Sequence, residues 1–165
     1  MAHIQNPTLM PQRFHAVPFV ELRQSLSSQI TAISPFVEQL MAFISNFRKA
    51  DGSELEIETA VREAIANAVI HGNQEDPHKC VDVTCRCNSD GQVLITVHDE
   101  GQGFQTDEFP DPTSPENRLS THGRGIYLIR MFMDEVSFEN GGSVVRMRKI
   151  SNAGAVAQRR ERNDG

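Results

Sequence analysis

Three stretches of the chain repeat a hydrophobic residue every three to four positions, which predicts three amphipathic helices. The first covers residues 34–47 and begins at Ser34-Pro35, a pair typical of a helix start. The second and strongest covers residues 54–71 and is ended by Gly72-Asn73. The third covers residues 126–134. Each helix therefore has one apolar stripe to bury against another layer.

Alternating patterns predict strands around these helices. Residues 17–30 suit an opening strand, and in residues 80–88 the valines and two cysteines share one face. Asp90-Gly91 is a hairpin signal, after which residues 92–99 are more continuously apolar and are expected to be more deeply buried. A last hairpin is predicted around Gly141-Gly142. The elements favour an α/β (α+β) two-layer sandwich, with a mixed, largely antiparallel sheet and helices on one face.

Composition agrees with one folded domain. The chain has 165 residues, is 38% hydrophobic and carries a formal charge of −6. We expect a domain over residues 14–150, with a flexible lead-in at 1–13 and a flexible tail at 151–165. The acidic balance argues against direct nucleic-acid binding, and no apolar run is long enough to span a membrane. An odd count of three cysteines and the lack of a signal peptide favour a cytoplasmic protein.

The first candidate for chemistry lies in the strongest helix. Glu63 and Asn67 are four residues apart and therefore share one helix face, beside the apolar stripe. A carboxylate and an amide at the edge of a core suit a general base and an oxygen ligand for Mg²⁺. An ordinary polar pair on a helix has the same spacing, so the pair alone does not separate these interpretations.

Two glycine-rich segments carry the other candidates. Asp99 alternates with the buried positions of its strand and is followed by Gly101 and Gly103, which let a ligand approach the backbone closely. The exocyclic amine of a purine would supply the donor that a buried carboxylate needs, whereas a solvated Asp in a turn is the alternative. Gly123 and Gly125 come directly before the third predicted helix, where exposed N–H groups favour phosphate.

The order of these features is more informative than any one of them. A helix with an acid and an amide is followed by a strand that ends in DxGxG, by a long segment at residues 101–125, and by a GxG at a helix start. A glycine- and proline-rich segment of this length is too long for an ordinary connection and suits a lid over a nucleotide. The sequence therefore predicts base, lid and phosphate sites in that order.

These motifs resemble those of the histidine-kinase-like ATPase superfamily, the Bergerat fold. EAIANAVIHGN, from Glu63, is similar to its N box, and HDEGQGF, from His98, to its first glycine box. GRGIYLIRMFMDEV, from Gly123, is similar to its second glycine box, and its MDEV ending is closest to the bacterial anti-sigma-factor serine kinases. The resemblance spans about residues 14–149 and implies a histidine-kinase-like ATPase domain.

The resemblance implies a function as well as a fold. The chain would be an ATP-dependent serine/threonine-protein kinase that binds and blocks a sigma factor and phosphorylates a serine of an anti-sigma-factor antagonist. Glu63 would be the general base that takes the proton of that serine, and Asn67 would hold the Mg²⁺ that bridges the ATP phosphates. The resemblance also implies a homodimer.

The same resemblance assigns the remaining binding residues. Asp99 would accept a hydrogen bond from the adenine amino group, and Gly101 and Gly103 would let the adenine and ribose pack against the backbone. Gly123 and Gly125 would cradle the ATP phosphates beneath the lid.

Two departures from the family pattern keep other functions open. Thr121 stands where many members have the first glycine of the second box, and Arg124 stands at a leucine position. These residues favour an ATP-binding regulatory module of the same fold that lacks phosphotransfer. A water-directed ATPase that uses Glu63 on water is the other alternative. A metal site at the cysteines is not favoured, since Cys85 and Cys87 share one strand face and Cys80 lies on the other.

Overall fold

A computed structural model of the protein describes residues 17–48, 51–103 and 121–151, with the backbone alone from 121 to 123. The described helices and strands are β1 (Phe19–Ser27), α1 (Ile30–Ser45), α2 (Glu54–Asn67), β2 (Cys80–Asn88), β3 (Val93–Asp99), α3 (Thr121–Phe132), β4 (Glu135–Glu139) and β5 (Val144–Lys149). A π-helical turn, Ala68–Gly72, continues α2, and a 3₁₀ turn, Asn140–Gly142, joins β4 to β5. The architecture is the expected two-layer α+β sandwich.

The sheet has the strand order β1-β2-β3-β5-β4. Every pairing in the described part of the sheet is antiparallel. The largely antiparallel character predicted from the sequence is confirmed, whereas the predicted mixture with parallel pairing is not found there. The helices cover one face. In β2 the buried apolar side chains are Val81, Val83, Cys85 and Cys87, whereas Cys80 is exposed, which confirms the predicted division of the cysteines between the two faces.

Strand β3 is more buried than β2, as its more continuously apolar sequence predicts, but it is not buried along its whole length. Val93, Ile95, Val97 and Asp99 are buried, but the alternate positions are half-buried and His98 is exposed. The reason is that in the described residues helices cover only the other face of the sheet, so even a central strand keeps one side toward solvent. The prediction that β3 is more deeply buried than β2 is confirmed, since one of its seven residues is exposed against three of nine in β2. The prediction that Asp99 points toward the core is also confirmed.

Helix α1 begins at Ile30 and not at Ser34-Pro35, so the predicted start was wrong. Pro35 lies inside the helix, where it cannot donate the usual backbone hydrogen bond. The earlier start places Ile33 on the same buried stripe as Val37 and Leu40. Burial of this additional apolar side chain offsets the missing hydrogen bond. The opening strand correspondingly ends at Ser27, before the end of residues 17–30.

Helix α3 begins at Thr121, five residues earlier than predicted, and therefore includes Gly123 and Gly125. Tertiary packing overrides the low helix propensity of glycine here, because Gly125 is buried against α2. The other end of α3 is held by Lys149, whose Nζ donates to Phe132 O and to Glu56 Oε2, both at 2.6 Å. These contacts place α2 and α3 side by side on the sheet.

The remaining fold predictions concern the last hairpin, the two terminal segments and the lid. The hairpin around Gly141-Gly142 is confirmed by the antiparallel pairing of β4 and β5. The lead-in at residues 1–13 lies outside the described residues, as does most of the predicted lid, residues 104–120. Of the predicted tail, residues 151–165, only Ser151 is described, and it is buried. Within the described residues, no helix is both long and apolar enough to cross a membrane.

Candidate functional site

The first part of the site lies between α2 and α3. Glu63 and Asn67 occupy one face of α2, as their spacing predicts, and both side chains are half-buried. Gly125 of α3 lies directly opposite: a Cβ atom built on it would be 2.8 Å from Oε2 of Glu63 and 3.3 Å from Nδ2 of Asn67. The structure therefore brings the first and third sequence motifs together, and a glycine makes that approach possible.

Helix α2 does not end regularly beyond Asn67. Its last turn, Ala68–Gly72, is π-helical, and the N–H of Asn73 donates to the carbonyl of Ala68 at 2.8 Å. A π turn accommodates an additional residue and changes the direction in which the following residues point, and such turns often occur at functional sites. Here it brings Gly72 against the end of β3.

The second part of the site is the end of β3, where Asp99 is only 5% exposed. Its Oδ1 accepts a hydrogen bond from the N–H of Gly101 at 2.8 Å. Burial raises the pKa of the Asp99 carboxyl above its ordinary value of 3.8, while the Gly101 hydrogen bond and the nearby His98 and Lys79 act in the opposite direction. A buried carboxyl at a strand end is a suitable acceptor for one amino group of a ligand.

Glycines surround this carboxyl because no side chain would fit. A Cβ atom on Gly72 would overlap the Asp99 carboxyl group. A Cβ atom on Gly101 would overlap the carbonyl of Gly72 and would lie 2.7 Å from Oδ1 of Asp99. The sequence predicts a binding role for Gly101 but indicates Gly72 only as the end of a helix, because the contact of that helix end with β3 is not visible in the sequence.

Gly103 serves a different contact. It has a positive φ of 73°, and a Cβ atom on it would lie 2.6 Å from the carbonyl oxygen of Gly141 and 2.7 Å from that of Asn140. The chain thus leaves β3 by passing close to the turn between β4 and β5. Glycine is required at this position both for the backbone conformation and for the close approach.

A further polar residue, Asn73, holds the two parts of the site in relation to the sheet. Its side chain is 0% exposed. Nδ2 donates to Ser28 Oγ at 2.6 Å and to Cys80 O at 2.8 Å, and Oδ1 accepts from the N–H of Glu100 at 2.8 Å. The sequence analysis gave Asn73 no such role. A polar side chain at a helix end that also follows a glycine was the only available signal.

The predicted metal site can be compared with this geometry. Asn67 Oδ1 would be 3.5 Å from a Cβ atom on Gly125, so the amide lies at the junction with α3 beside the Glu63 carboxylate. Amide and carboxylate oxygens together with substrate phosphates are the ligands that Mg²⁺ prefers. The described residues contain no group of three or more His, Cys, Asp or Glu side chains that would hold a metal by themselves. The donors therefore fit an ion that is bound jointly with phosphates.

The phosphate-binding prediction is only partly within the described residues. Gly123 lies in the first turn of α3, whose first four N–H groups have no partner within the helix. Gly125 lies beyond those donors and is instead packed against Glu63 and Asn67. The position of the GxG directly before the helix was therefore predicted incorrectly, and its phosphate role stays a prediction.

Comparison with known proteins places these features in a family. Residues 26–149 match the family described as the histidine kinase-like ATPase domain. An anti-sigma F factor of Oceanobacillus iheyensis is 32% identical over 142 residues, which cover 81% of this chain and 86% of that protein. An anti-sigma F factor of Bacillus cytotoxicus is 33% identical over 147 residues, which cover 82% of this chain and 99% of that protein.

Shorter or more distant similarities agree with these. An anti-sigma F factor of Heyndrickxia coagulans is 38% identical over 99 residues, covering 56% of this chain and 66% of that protein. A crystal structure of the RsbU and RsbW domains of a Mycobacterium tuberculosis protein has a TM-score of 0.54 at 19% identity, covering 79% of this chain and 31% of that one. At this identity the similarity to the solved structure concerns the fold alone.

Proposed function

The chain belongs to the histidine kinase-like ATPase family, and on that premise we propose that it is an anti-sigma factor with serine/threonine-protein kinase activity. It uses ATP to phosphorylate a serine of an anti-sigma-factor antagonist, and it sequesters a sigma factor when the antagonist is not bound. The names of its relatives support the sigma-factor partner. The phosphorylation state of the antagonist then decides which of the two partners is bound.

One observation carries the kinase proposal: residues of three separate sequence motifs approach one another along α2 and its π turn. Glu63 and Asn67 face Gly125 between the two helices, and Gly72 at the end of the same helical segment contacts Asp99 at the end of β3. The end that carries the proposed general base and metal ligand is thus connected, through α2 and its π turn, to the end proposed to recognise adenine. This arrangement suits a nucleotide lying along α2, with adenine at Asp99 and phosphates toward α3.

The transfer step follows from these positions. The serine Oγ forms a new bond to the γ-phosphorus of ATP, the bond from that phosphorus to the bridging β–γ oxygen breaks, and ADP leaves. Glu63 takes the proton of the serine hydroxyl. Bound Mg²⁺ supplies charge neutralisation for the phosphates, and Asn67 would hold it. The protein contributes position and orientation, since the reaction needs no covalent intermediate.

The proposal includes three finer statements that the family resemblance suggests. The cofactor is Mg-ATP, the protein acts in the bacterial cytoplasm because transcription takes place there, and the active form is a homodimer. Light scattering of the purified protein in solution measures the last of these directly: a mass of about twice 18.4 kDa is expected, and a monomeric mass would contradict it.

Calorimetric titration with ATP, with and without Mg²⁺, tests the nucleotide binding on which the proposed function depends. We expect micromolar, Mg²⁺-dependent binding, because the phosphates need both the ion and the protein donors. Incubation with ATP alone separates the water-directed ATPase, which would release phosphate steadily without a protein substrate. Binding of ATP without transfer to any antagonist would favour the regulatory module, for which Thr121 and the exposed Arg124 are the supporting residues. Absence of binding in both conditions would contradict the proposal.

A further inference from the structure

Asn73 is bonded to three separate parts of the fold. Ser28 lies between β1 and α1, Cys80 is the first residue of β2, and Glu100 directly follows β3. The Asn73 side chain donates to the first two and accepts from the third, at distances between 2.6 and 2.8 Å. Both kinds of polar atom in the amide are therefore used, in a position without solvent exposure.

The contact with Glu100 matters because of where that residue stands. Glu100 lies between Asp99, whose carboxyl is buried, and Gly101, whose N–H donates to that carboxyl. The Glu100 side chain is anchored as well, since its Oε1 accepts from the N–H of Cys80 at 2.7 Å. Fixing the Glu100 N–H therefore fixes the peptide unit between Asp99 and Glu100, while the hydrogen bond of the Gly101 N–H to Asp99 holds the next one.

Only an amide satisfies all of these contacts. A carboxylate of the same shape would accept from Glu100 but would place an oxygen against the carbonyl of Cys80. An apolar side chain would leave the partly buried Glu100 N–H and Cys80 carbonyl without this partner, which costs stability. The chemistry thus selects asparagine for its two different ends.

We propose that Asn73 is a positioning residue for adenine recognition: through the Glu100 N–H it holds the turn at residues 99–101 so that the Asp99 carboxyl is directed at the base. The inference rests on the proposed function, in which Asp99 accepts a hydrogen bond from the adenine amino group. Asn73 itself touches no part of the nucleotide. It acts on specificity for the base and not on the phosphates.

Comparison of ATP with inosine triphosphate tests this directly, because inosine has a carbonyl oxygen in place of the amino group. For the wild-type protein with Mg²⁺, calorimetry should give an affinity for ATP about tenfold or more higher than for inosine triphosphate, as expected for loss of one buried hydrogen bond to a charged group. In Asn73→Ala this preference should fall to about twofold or less, on the same physical argument.

A destabilised control separates positioning from a general loss of structure. Val93→Ala removes packing from another fully buried residue, at the opposite end of β3 from Asp99. It should lower the melting temperature and leave the ratio of the two affinities unchanged. Asn73→Asp provides the conservative comparison. It keeps the acceptor for Glu100 and loses the donors, so it should be less stable than wild type yet retain most of the preference for ATP.

The outcomes distinguish the inference from its premise. If wild type fails to bind ATP, the proposed function is wrong and the inference falls with it. If wild type binds both nucleotides equally, the adenine role of Asp99 is wrong, and Asn73 has no recognition to position. If wild type prefers ATP and Asn73→Ala preserves that preference, the inference alone is overturned.

Hydrogen exchange in the wild-type protein gives a reading that does not depend on any variant folding. The amide of Glu100 should exchange slowly, at a rate similar to the amides of the central strand β3. Rapid exchange at Glu100 would show that the Asn73 contact does not hold this turn, and it would overturn the inference.

Discussion

The two ends of the site are built in different ways. At the adenine end, which comprises Gly72, Asn73, Asp99 and Gly101, the contacts involve backbone atoms and fully or almost fully buried side chains. At the phosphate end, which comprises Glu63, Asn67 and Gly125, two half-buried side chains meet a glycine of the neighbouring helix. The first end is closed and fixed, whereas the second retains side chains that are able to move.

This difference matches the role proposed for each end. Discrimination of a base requires an acceptor held in one position, because a hydrogen bond loses its strength when it is misaligned. Phosphoryl transfer to a protein requires room for a second macromolecule and for movement of groups around the phosphates. The comparison predicts that substitutions at the adenine end change stability as well as affinity, while those at the phosphate end change transfer rate or Mg²⁺-dependent affinity with little change in stability.

The largest expected effect is at the phosphate end. Glu63→Gln keeps the size of the side chain but cannot take the serine proton, so the rate of transfer should fall by about 10²- to 10⁴-fold, the usual contribution of a general base. ATP affinity should change little. Phosphate transfer from labelled ATP to the antagonist measures the rate.

Glu58→Gln is the matched control for this experiment. Glu58 lies on the same helix and forms a solvent-accessible ion pair with Arg62 at 3.0 Å, which contributes little to stability. It should transfer phosphate at the wild-type rate. A Glu63→Gln protein as active as Glu58→Gln would remove Glu63 from the role of base.

A pair of glycine substitutions tests the comparison most directly. In Gly72→Ala the new methyl group overlaps the Asp99 carboxyl, and overpacking of this kind costs about 1–3 kcal/mol of unfolding free energy. In Gly125→Ala the methyl group meets the flexible end of Glu63, and alanine is about 0.5–1 kcal/mol more favourable than glycine within a helix. Stability should therefore be unchanged or higher, while transfer falls because Glu63 is displaced.

Chemical denaturation and transfer assays on the same two proteins provide the measurement. The expected pattern is a lower unfolding free energy with weaker ATP binding for Gly72→Ala, and normal unfolding with slow transfer for Gly125→Ala. If Gly125→Ala proved the less stable of the two, the phosphate end would be as rigid as the adenine end and the distinction would be lost.

A smaller effect is expected at Asn67. Asn67→Ala removes the proposed oxygen ligand and should weaken ATP binding about tenfold in the presence of Mg²⁺, which is the lower limit for loss of a residue that supports a metal site. Binding without Mg²⁺ serves as the internal control and should be unchanged. An equal loss of affinity in both conditions would mean that Asn67 contacts the nucleotide directly and does not hold the ion.

Local patterns predicted a good part of this molecule. Alternation in β3 placed Asp99 toward the core, where it is 5% exposed, and helical spacing placed Glu63 and Asn67 on one face. Both conclusions depend only on the geometry of one element, which neighbouring residues determine. The order of the motifs along the chain indicated that they serve one nucleotide site, and the contact of Gly125 with Glu63 and Asn67 of α2 agrees with this interpretation.

Features that depend on contacts between distant segments were missed. Asn73 bonds Ser28, which lies 45 residues away, and nothing in either local sequence indicates this partner. The inclusion of Pro35 in α1 and the early start of α3 have the same origin, since burial against other elements outweighed the local preferences of proline and glycine. Close approaches such as that of Gly72 to Asp99 become visible only when both elements are in place.

The smallest predicted effect is a pH dependence at the adenine end. Burial raises the pKa of Asp99 in the folded protein above its ordinary value of 3.8, so over the pH range just above that value the folded state binds more protons than the unfolded state. The free energy of unfolding therefore falls as pH rises through this range. Asp99→Asn cannot titrate, and its stability should lack this decrease, giving a difference from wild type that is smaller than the cost of Gly72→Ala.

Thermal unfolding of wild type and Asp99→Asn across pH 3–7 checks this expectation. The variant should equal or exceed wild type in stability at neutral pH, approach it in acid, and bind ATP more weakly throughout, since an amide in place of the carboxylate is a weaker acceptor. Parallel stability curves would mean that burial does not disfavour the charged carboxyl. Curves that diverge as expected, together with weaker ATP binding by the variant, would mean that the Asp99 carboxylate lowers stability while it contributes to nucleotide binding.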